Sequence, residues 1–144
     1  MRECKEIRVM IIGTGTMAHI YADIINDIEN ADLAVVVGNT KRSSEKFSVQ
    51  YNVPVLPDMA VETALNKFDV NFIILATPEW VRLEPIKQIV KYNLPILLEK
   101  PFCIDFSEAK EIANLLSGTN QFFNVCHVLR SNPRFDVMLN EVNN

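Results

Sequence analysis

The chain has 144 residues, 49% hydrophobic and 22% charged, which suits one globular domain with its own core and leaves too little for two. A formal net charge of -4 argues against nucleic acid or an anionic membrane as a partner, since either requires a basic face. No apolar run approaches the roughly 18 residues of a membrane span. The charged opening Met1-Arg2-Glu3-Cys4-Lys5-Glu6 lacks the long apolar stretch of a secretory signal. Cys4, Cys103 and Cys126 form no CxxC pair and no metal-ligand spacing, and their odd number fits reduced thiols in the cytoplasm.

Short apolar runs alternate with amphipathic stretches, the pattern of βαβ units on a parallel sheet. The spacing predicts a strand over Ile7 to Ile12, apolar on both faces. A helix follows over Met17 to Ile28, with Ile20, Ile24, Ile25 and Ile28 at helical intervals. Leu33 to Val37 is a valine-rich strand, and Ser43 to Tyr51 is a helix with Ser43 or Ser44 as its cap. Asn52 to Val55 reads as an extended connection, and a short helix follows Asp58. Val70 to Ala76 is a strand closed by Thr77-Pro78, and Glu79 to Tyr92 is a helix ending near Asn93. Ile96 to Glu99 is a strand broken by Lys100-Pro101. Asp105 to Leu116 is a helix capped by Asp105 or Ser107 and closed by Gly118. Phe122 to Cys126 is the last strand, and residues 131–144 turn polar with no further strand.

The first strand-to-helix junction carries Gly13-Thr14-Gly15-Thr16-Met17-Ala18. Gly13 permits a tight turn, Gly15 lets the backbone approach a pyrophosphate, and the small Ala18 lets helix and strand pack closely. The helix N-terminus offers free N–H groups and a positive dipole end to phosphates. A glycine-rich turn that binds nothing is the competing reading, but the strand before, the helix after and the repeated βα units favour a dinucleotide loop. The expected fold class is therefore α/β, a doubly wound and mostly parallel sheet of about six strands in three αβα layers, of the Rossmann type.

A second strand of this type usually ends in an acidic residue that holds the ribose 2′-OH of NAD. Here Gly38 is followed by Asn39, Thr40, Lys41 and Arg42, with no carboxylate. Small polar groups and two cations suit a 2′-phosphate, so NADP is preferred and NAD is the alternative. Lys41 and Arg42 are also readable as solvated first-turn residues of the next helix. The other unusual segment is Leu97-Leu98-Glu99-Lys100-Pro101-Phe102. Charges at the C-terminal end of a buried parallel strand lie at the edge where open α/β sheets bind ligands. A lysine there can hydrogen-bond a substrate oxygen and favour a developing alkoxide. A Glu–Lys pair on an ordinary loop is the other reading.

Four segments in this order resemble the Gfo/Idh/MocA oxidoreductases, the glucose–fructose oxidoreductase and inositol dehydrogenase relatives. They are Gly13 to Ala18; Ala76-Thr77-Pro78; Glu99-Lys100-Pro101 with Glu108-Ala109; and His127-Val128-Leu129-Arg130 through Pro133. The resemblance implies that Lys100 is the catalytic, substrate-contacting residue, that Ala76, Thr77 and Pro78 lie beside the nicotinamide, and that Glu99 lies beside the cofactor ribose. It also implies hydride transfer between nicotinamide and a sugar, cyclitol or related hydroxy compound.

Two departures stand out. Arg82 occupies a place where the family often has histidine. The family also continues with a second α/β domain carrying most substrate contacts and the oligomerisation sheet. Residues 1–128 are expected to form the NAD(P)-binding domain and 129–144 the start of the crossover to that domain. A sugar or polyol would bind only with the second domain, and a homo-oligomer is possible. A non-catalytic NAD(P) sensor and an inert fragment are the alternatives. His19 reads as a packing residue, His127 and Cys103 as structural, and Trp80 as a partly buried residue at a helix start.

Overall fold

The computed structural model describes residues 7–142, so Cys4 lies outside the described residues. Six strands form one sheet: β1 (Ile7–Ile12), β2 (Ala31–Val37), β3 (Val55–Leu56), β4 (Phe72–Leu75), β5 (Ile96–Glu99) and β6 (Phe123–Cys126). The order is β3-β2-β1-β4-β5-β6, and every neighbouring pair is parallel. Chain order reverses direction across the sheet between β1 and β4. Loops leaving the carboxyl ends of these two strands therefore diverge and leave a crevice between them.

Alternation along the central strands divides the core into two layers. Met10, Ile12, Ile73, Leu75, Ile96 and Leu98 face one side with α3 (Val61–Lys67), α4 (Leu83–Ile89) and α5 (Phe106–Ser117). Val9, Ile11, Val36 and Ile74 face the other with α1 (Thr16–Asn26) and α2 (Lys41–Tyr51). Strands buried on both faces must be apolar at successive positions, as β1 is. The result is the three-layer αβα, Rossmann-like arrangement expected.

Several local expectations are corrected. The α1 face that enters the core is Ala18, Tyr21, Ala22 and Ile25; Ile20, Ile24 and Ile28 are exposed. Small alanines win the inner face because the helix must approach the sheet closely behind the glycine turn that follows β1. The α2 cap is Thr40, whose hydroxyl accepts the Ser43 N–H at 3.2 Å, so the helix starts before Ser43. The stretch expected as one helix to Tyr92 divides into a 3-10 turn at Glu79–Val81, then α4, then a 3-10 turn at Val90–Tyr92. Asn93 closes it at φ 52 and ψ 34, the left-handed conformation that Asn tolerates better than most residues. Of the two caps considered for α5, Asp105 is the one used, accepting the Glu108 N–H at 2.9 Å. The terminal stretch contains α6 (Pro133–Val142), on which Val137, Met138, Leu139 and Val142 are exposed. No helix among the described residues is long and apolar enough to cross a membrane.

Candidate functional site

The crevice at the β1/β4 switch point is a cleft of about 570 Å³. The sheet assembles it from segments far apart in sequence. The turn after β1 contributes Gly13 to Met17, the end of β2 contributes Asn39, the turn after β4 contributes Ala76, Thr77 and Pro78, and β5 contributes Glu99 and Lys100. Two backbone bonds tie the turns to the sheet: the Gly13 N–H donates to Val37 O and the Ala76 N–H to Ile12 O, both at 2.8 Å. Gly13 sits at φ +117 with Ala76 O only 2.7 Å from where a Cβ would stand. A side chain there would be strained and would collide with the second wall.

Gly15 has a different role. It is the N-cap of α1 in an ordinary extended conformation (φ -85, ψ -173), and a Cβ there would meet nothing within 4 Å. No side chain caps α1, and its first turn holds no acidic residue. The first N–H groups of the helix therefore face the cleft with their donor capacity and positive dipole end available to an anion. The Thr77 hydroxyl is also buried, at 5% exposure of the residue, without a hydrogen-bond partner among the described residues. An open cradle at Gly15, an uncapped helix start and an orphaned hydroxyl on the same cleft fit a dinucleotide.

Glu99 is 5% exposed and its carboxylate is held on both oxygens. The Tyr21 hydroxyl of α1 donates to Oε1 at 2.5 Å, and the Lys100 N–H donates to Oε2 at 3.2 Å. Burial raises the Tyr21 pKa well above the usual tyrosine range, and hydrogen bonds with Cys126 and Glu99 raise it further. The fold thus retains a proton that the unfolded chain releases near pH 10. Tyr21 contributes stability that is fully present below about pH 10 and lost as pH climbs above it. Urea titrations between roughly pH 9 and 11 should show the native chain weakening faster than Tyr21→Phe. Equal slopes would remove Tyr21 as the cause.

The remaining site residues separate into those on the cleft and those off it. Lys100 is exposed and borders both the main cleft and a smaller hollow shared with Cys126 and His127. Its peptide bond to Pro101 is cis. Ala18 is fully buried on the inner face of α1 and packs rather than lining the cleft. Thr40 is spent on capping α2. Lys41 and Arg42 lie exposed on the first turn of α2, Lys41 at 3.9 Å from Glu45, and neither lines the cleft. His19 packs against Phe47 with ring centroids 4.6 Å apart and shares a 3.1 Å hydrogen bond with the Tyr51 hydroxyl.

Trp80 differs from expectation: it is 68% exposed and lines the cleft. The short 3-10 turn after Pro78 carries it outward instead of into the helix–sheet interface. Met59 and Arg82 also line the cleft, and neither was marked by motif. The departure from histidine at position 82 was the available signal for Arg82.

Sheet order, switch-point cleft and phosphate-type turn define a nucleotide-binding α/β domain. Residues 7–127 match the family model described as "Oxidoreductase family, NAD-binding Rossmann fold", and the chain belongs to this Gfo/Idh/MocA family as its NAD-binding domain. It is 28% identical over 109 residues to inositol 2-dehydrogenase 1 of Paenarthrobacter aurescens, covering 75% of this chain and 32% of that protein. It is 22% identical over 125 residues to 2,7-anhydro-N-acetylneuraminate hydratase of Mediterraneibacter gnavus, covering 87% of this chain and 32% of that one. The chain thus spans about one third of the length of the curated relatives it matches.

Among solved structures, scyllo-inositol dehydrogenase of Lactobacillus casei with bound NAD(H) and scyllo-inositol superposes with a TM-score of 0.85 at 16% identity. That match covers 96% of this chain and 41% of that one. Biliverdin reductase of Synechocystis with biliverdin and NADP+ gives 0.74 at 20% identity, covering 85% and 38%. These likenesses show the same fold.

Proposed function

We propose that the cleft between β1 and β4 holds NADP in preference to NAD, and that the domain serves hydride transfer to or from a sugar, cyclitol or related hydroxy compound. The observation that carries this reading is the uncapped start of α1 beside an open Gly15, a geometry suited to a pyrophosphate. Thr14, Gly15, Thr16 and Met17 provide the phosphate cradle, and Ala18 supports it from below by close packing. Ala76, Thr77 and Pro78 form the wall beside the nicotinamide, and the Thr77 hydroxyl gains its missing partner from the ligand. Glu99, fixed by Tyr21, borders the ribose. The bound cofactor supplies the hydride chemistry. Lys100 polarises the substrate oxygen and steadies the charge that develops on it.

The preference for NADP rests on the end of β2. Asn39 is neutral and exposed, the first turn of α2 holds no acid, and the exposed cations Lys41, 3.9 Å from Glu45, and Arg42 stand on that turn beside Asn39 and offer a 2′-phosphate positive charge. Substrate selection belongs to a further part of the kind that the longer relatives have room for. The stretch from Leu129 leads toward it, a reading supported by the exposed apolar residues of α6.

Trp80 is the only tryptophan of the sequence and lines the cleft, so it reports on occupancy directly. Titration with NADPH should quench its emission and raise the melting temperature, with NADH doing so at higher concentration. Failure of both nucleotides to do either would sink the proposal. Tighter binding of NADH would overturn the NADP preference alone.

A further inference from the structure

The least expected side chain of the cleft is Arg82, which is 2% exposed and among the largest fully buried residues. It makes no ion pair among the described residues. Its guanidinium is instead surrounded by backbone carbonyls from two turns. Nη2 donates to Thr77 O at 3.1 Å and to Lys100 O at 3.3 Å, and Nη1 donates to the carbonyls of Glu99 and Pro101. Burial pulls the guanidinium below its usual pKa, while the carboxylates of Glu79, Glu99 and Glu108 act in the opposite sense. A buried cation is tolerated only where dipoles or charges replace its water, and four carbonyl oxygens do that for Nη1 and Nη2, while Nε is buried without a hydrogen-bond partner among the described residues.

The location matters more than the burial. Ladder pairing holds β4 to β5 only as far as Leu75 and Leu98. Beyond that point the turns at Thr77 and at Glu99 to Pro101 have no sheet bonds to each other, yet both line the cleft. Arg82 replaces the missing ladder. A planar fork with five N–H donors can hold several acceptors at fixed mutual angles, which an ammonium or an imidazole cannot. With these carbonyls turned toward Arg82, Thr77 and Lys100 still border the cleft itself.

We infer that Arg82 is a positioning residue that locks the Thr77 turn to the Glu99–Pro101 turn and so sets the nicotinamide end of the cleft. The inference rests on the cofactor reading above, which places the nicotinamide between these turns. The phosphate cradle of Gly13 to Met17 lies on the other wall and is built without Arg82. Loss of the guanidinium therefore weakens recognition of one end of the ligand and spares the other.

The test compares NADPH with 2′-phospho-ADP-ribose, which keeps the phosphates and lacks nicotinamide. Arg82→Met should lose about tenfold or more in NADPH affinity, as expected when several charge-assisted hydrogen bonds to the wall are removed. Its affinity for 2′-phospho-ADP-ribose should stay within about twofold. The change in nicotinamide emission on binding should be lost in parallel. Arg82→Lys, which keeps the charge without the fork, should show the same selective loss at smaller size, and it decides the matter if Arg82→Met does not fold. Equal losses for both ligands, or no loss for either, would overturn the positioning role. An unaltered chain that binds neither ligand overturns the cofactor reading and this assignment with it, whereas a chain that binds both while the variant shows no split overturns only the assignment.

Discussion

Gly15→Asp should abolish dinucleotide binding while leaving the free protein as stable as before, or slightly more so. Gly15 is the N-cap of α1 in extended conformation, and a Cβ there points into open space. Aspartate is among the best N-caps, and its carboxylate can accept the exposed N–H groups of the first turn. It also complements the positive end of the helix. The variant would thus satisfy from within the donors reserved for phosphate, and place a negative charge where the pyrophosphate must come. Affinity for NADPH should fall by about 100-fold or more, the combined effect of an occupied anion site and like-charge repulsion. The unliganded melting point should hold or rise by a degree or two, since replacing Gly by Asp at a cap is worth a few tenths of a kcal/mol. Calorimetry on the free protein and a nucleotide titration check both halves. Undiminished binding would mean that the phosphates do not lie on this turn.

Gly13→Ala should do the reverse and damage the fold itself. Its φ of +117 is a conformation that L side chains rarely adopt, and the added Cβ would stand 2.7 Å from Ala76 O and 2.9 Å from Ala76 C. Those atoms belong to the backbone of the opposite wall, so no flexible side chain can move aside. Backbone strain of about 1–3 kcal/mol adds to an overpacking cost of similar size. A loss of several kcal/mol is a large share of the stability of a domain of this length. A shift of the urea midpoint to much lower concentration is expected, and an unchanged midpoint would mean that the two turns are not in contact. The two glycines of one motif therefore separate: one keeps the walls together, and the other keeps the space between them open.

Most of the architecture was legible because buried parallel strands and amphipathic helices write themselves into the order of apolar residues. Ile7 to Ile12 and Ile96 to Glu99 match their strands residue for residue. The glycine turn between β1 and α1 was legible because its requirements are local. What could not be read depended on alternatives of equal local quality or on distant encounters. Thr40, Ser43 and Ser44 are all good caps, and only the path of the chain out of β2 decides for Thr40. Helix α1 has two apolar stripes, and the isoleucine stripe looks more hydrophobic than the alanine-containing one that packs inward. Arg82 stands out in the sequence only as a departure from histidine, and its partners appear only when β4 and β5 bring Thr77 and the Glu99–Pro101 turn to its side chain, up to 19 positions away. Tyr21 and Glu99 lie 78 positions apart, and nothing in either segment announces the other.

The central claim is that a nicotinamide dinucleotide lies across the carboxyl ends of β1 and β4. The most direct measurement follows backbone amide resonances of the isotope-labelled chain as NADPH is added. The largest shifts should fall on Thr14, Gly15, Thr16 and Met17 at the start of α1, with a second group at Ala76 and Thr77, while α5 stays unmoved. Shifts confined to other surfaces, or none at saturating nucleotide, would contradict it.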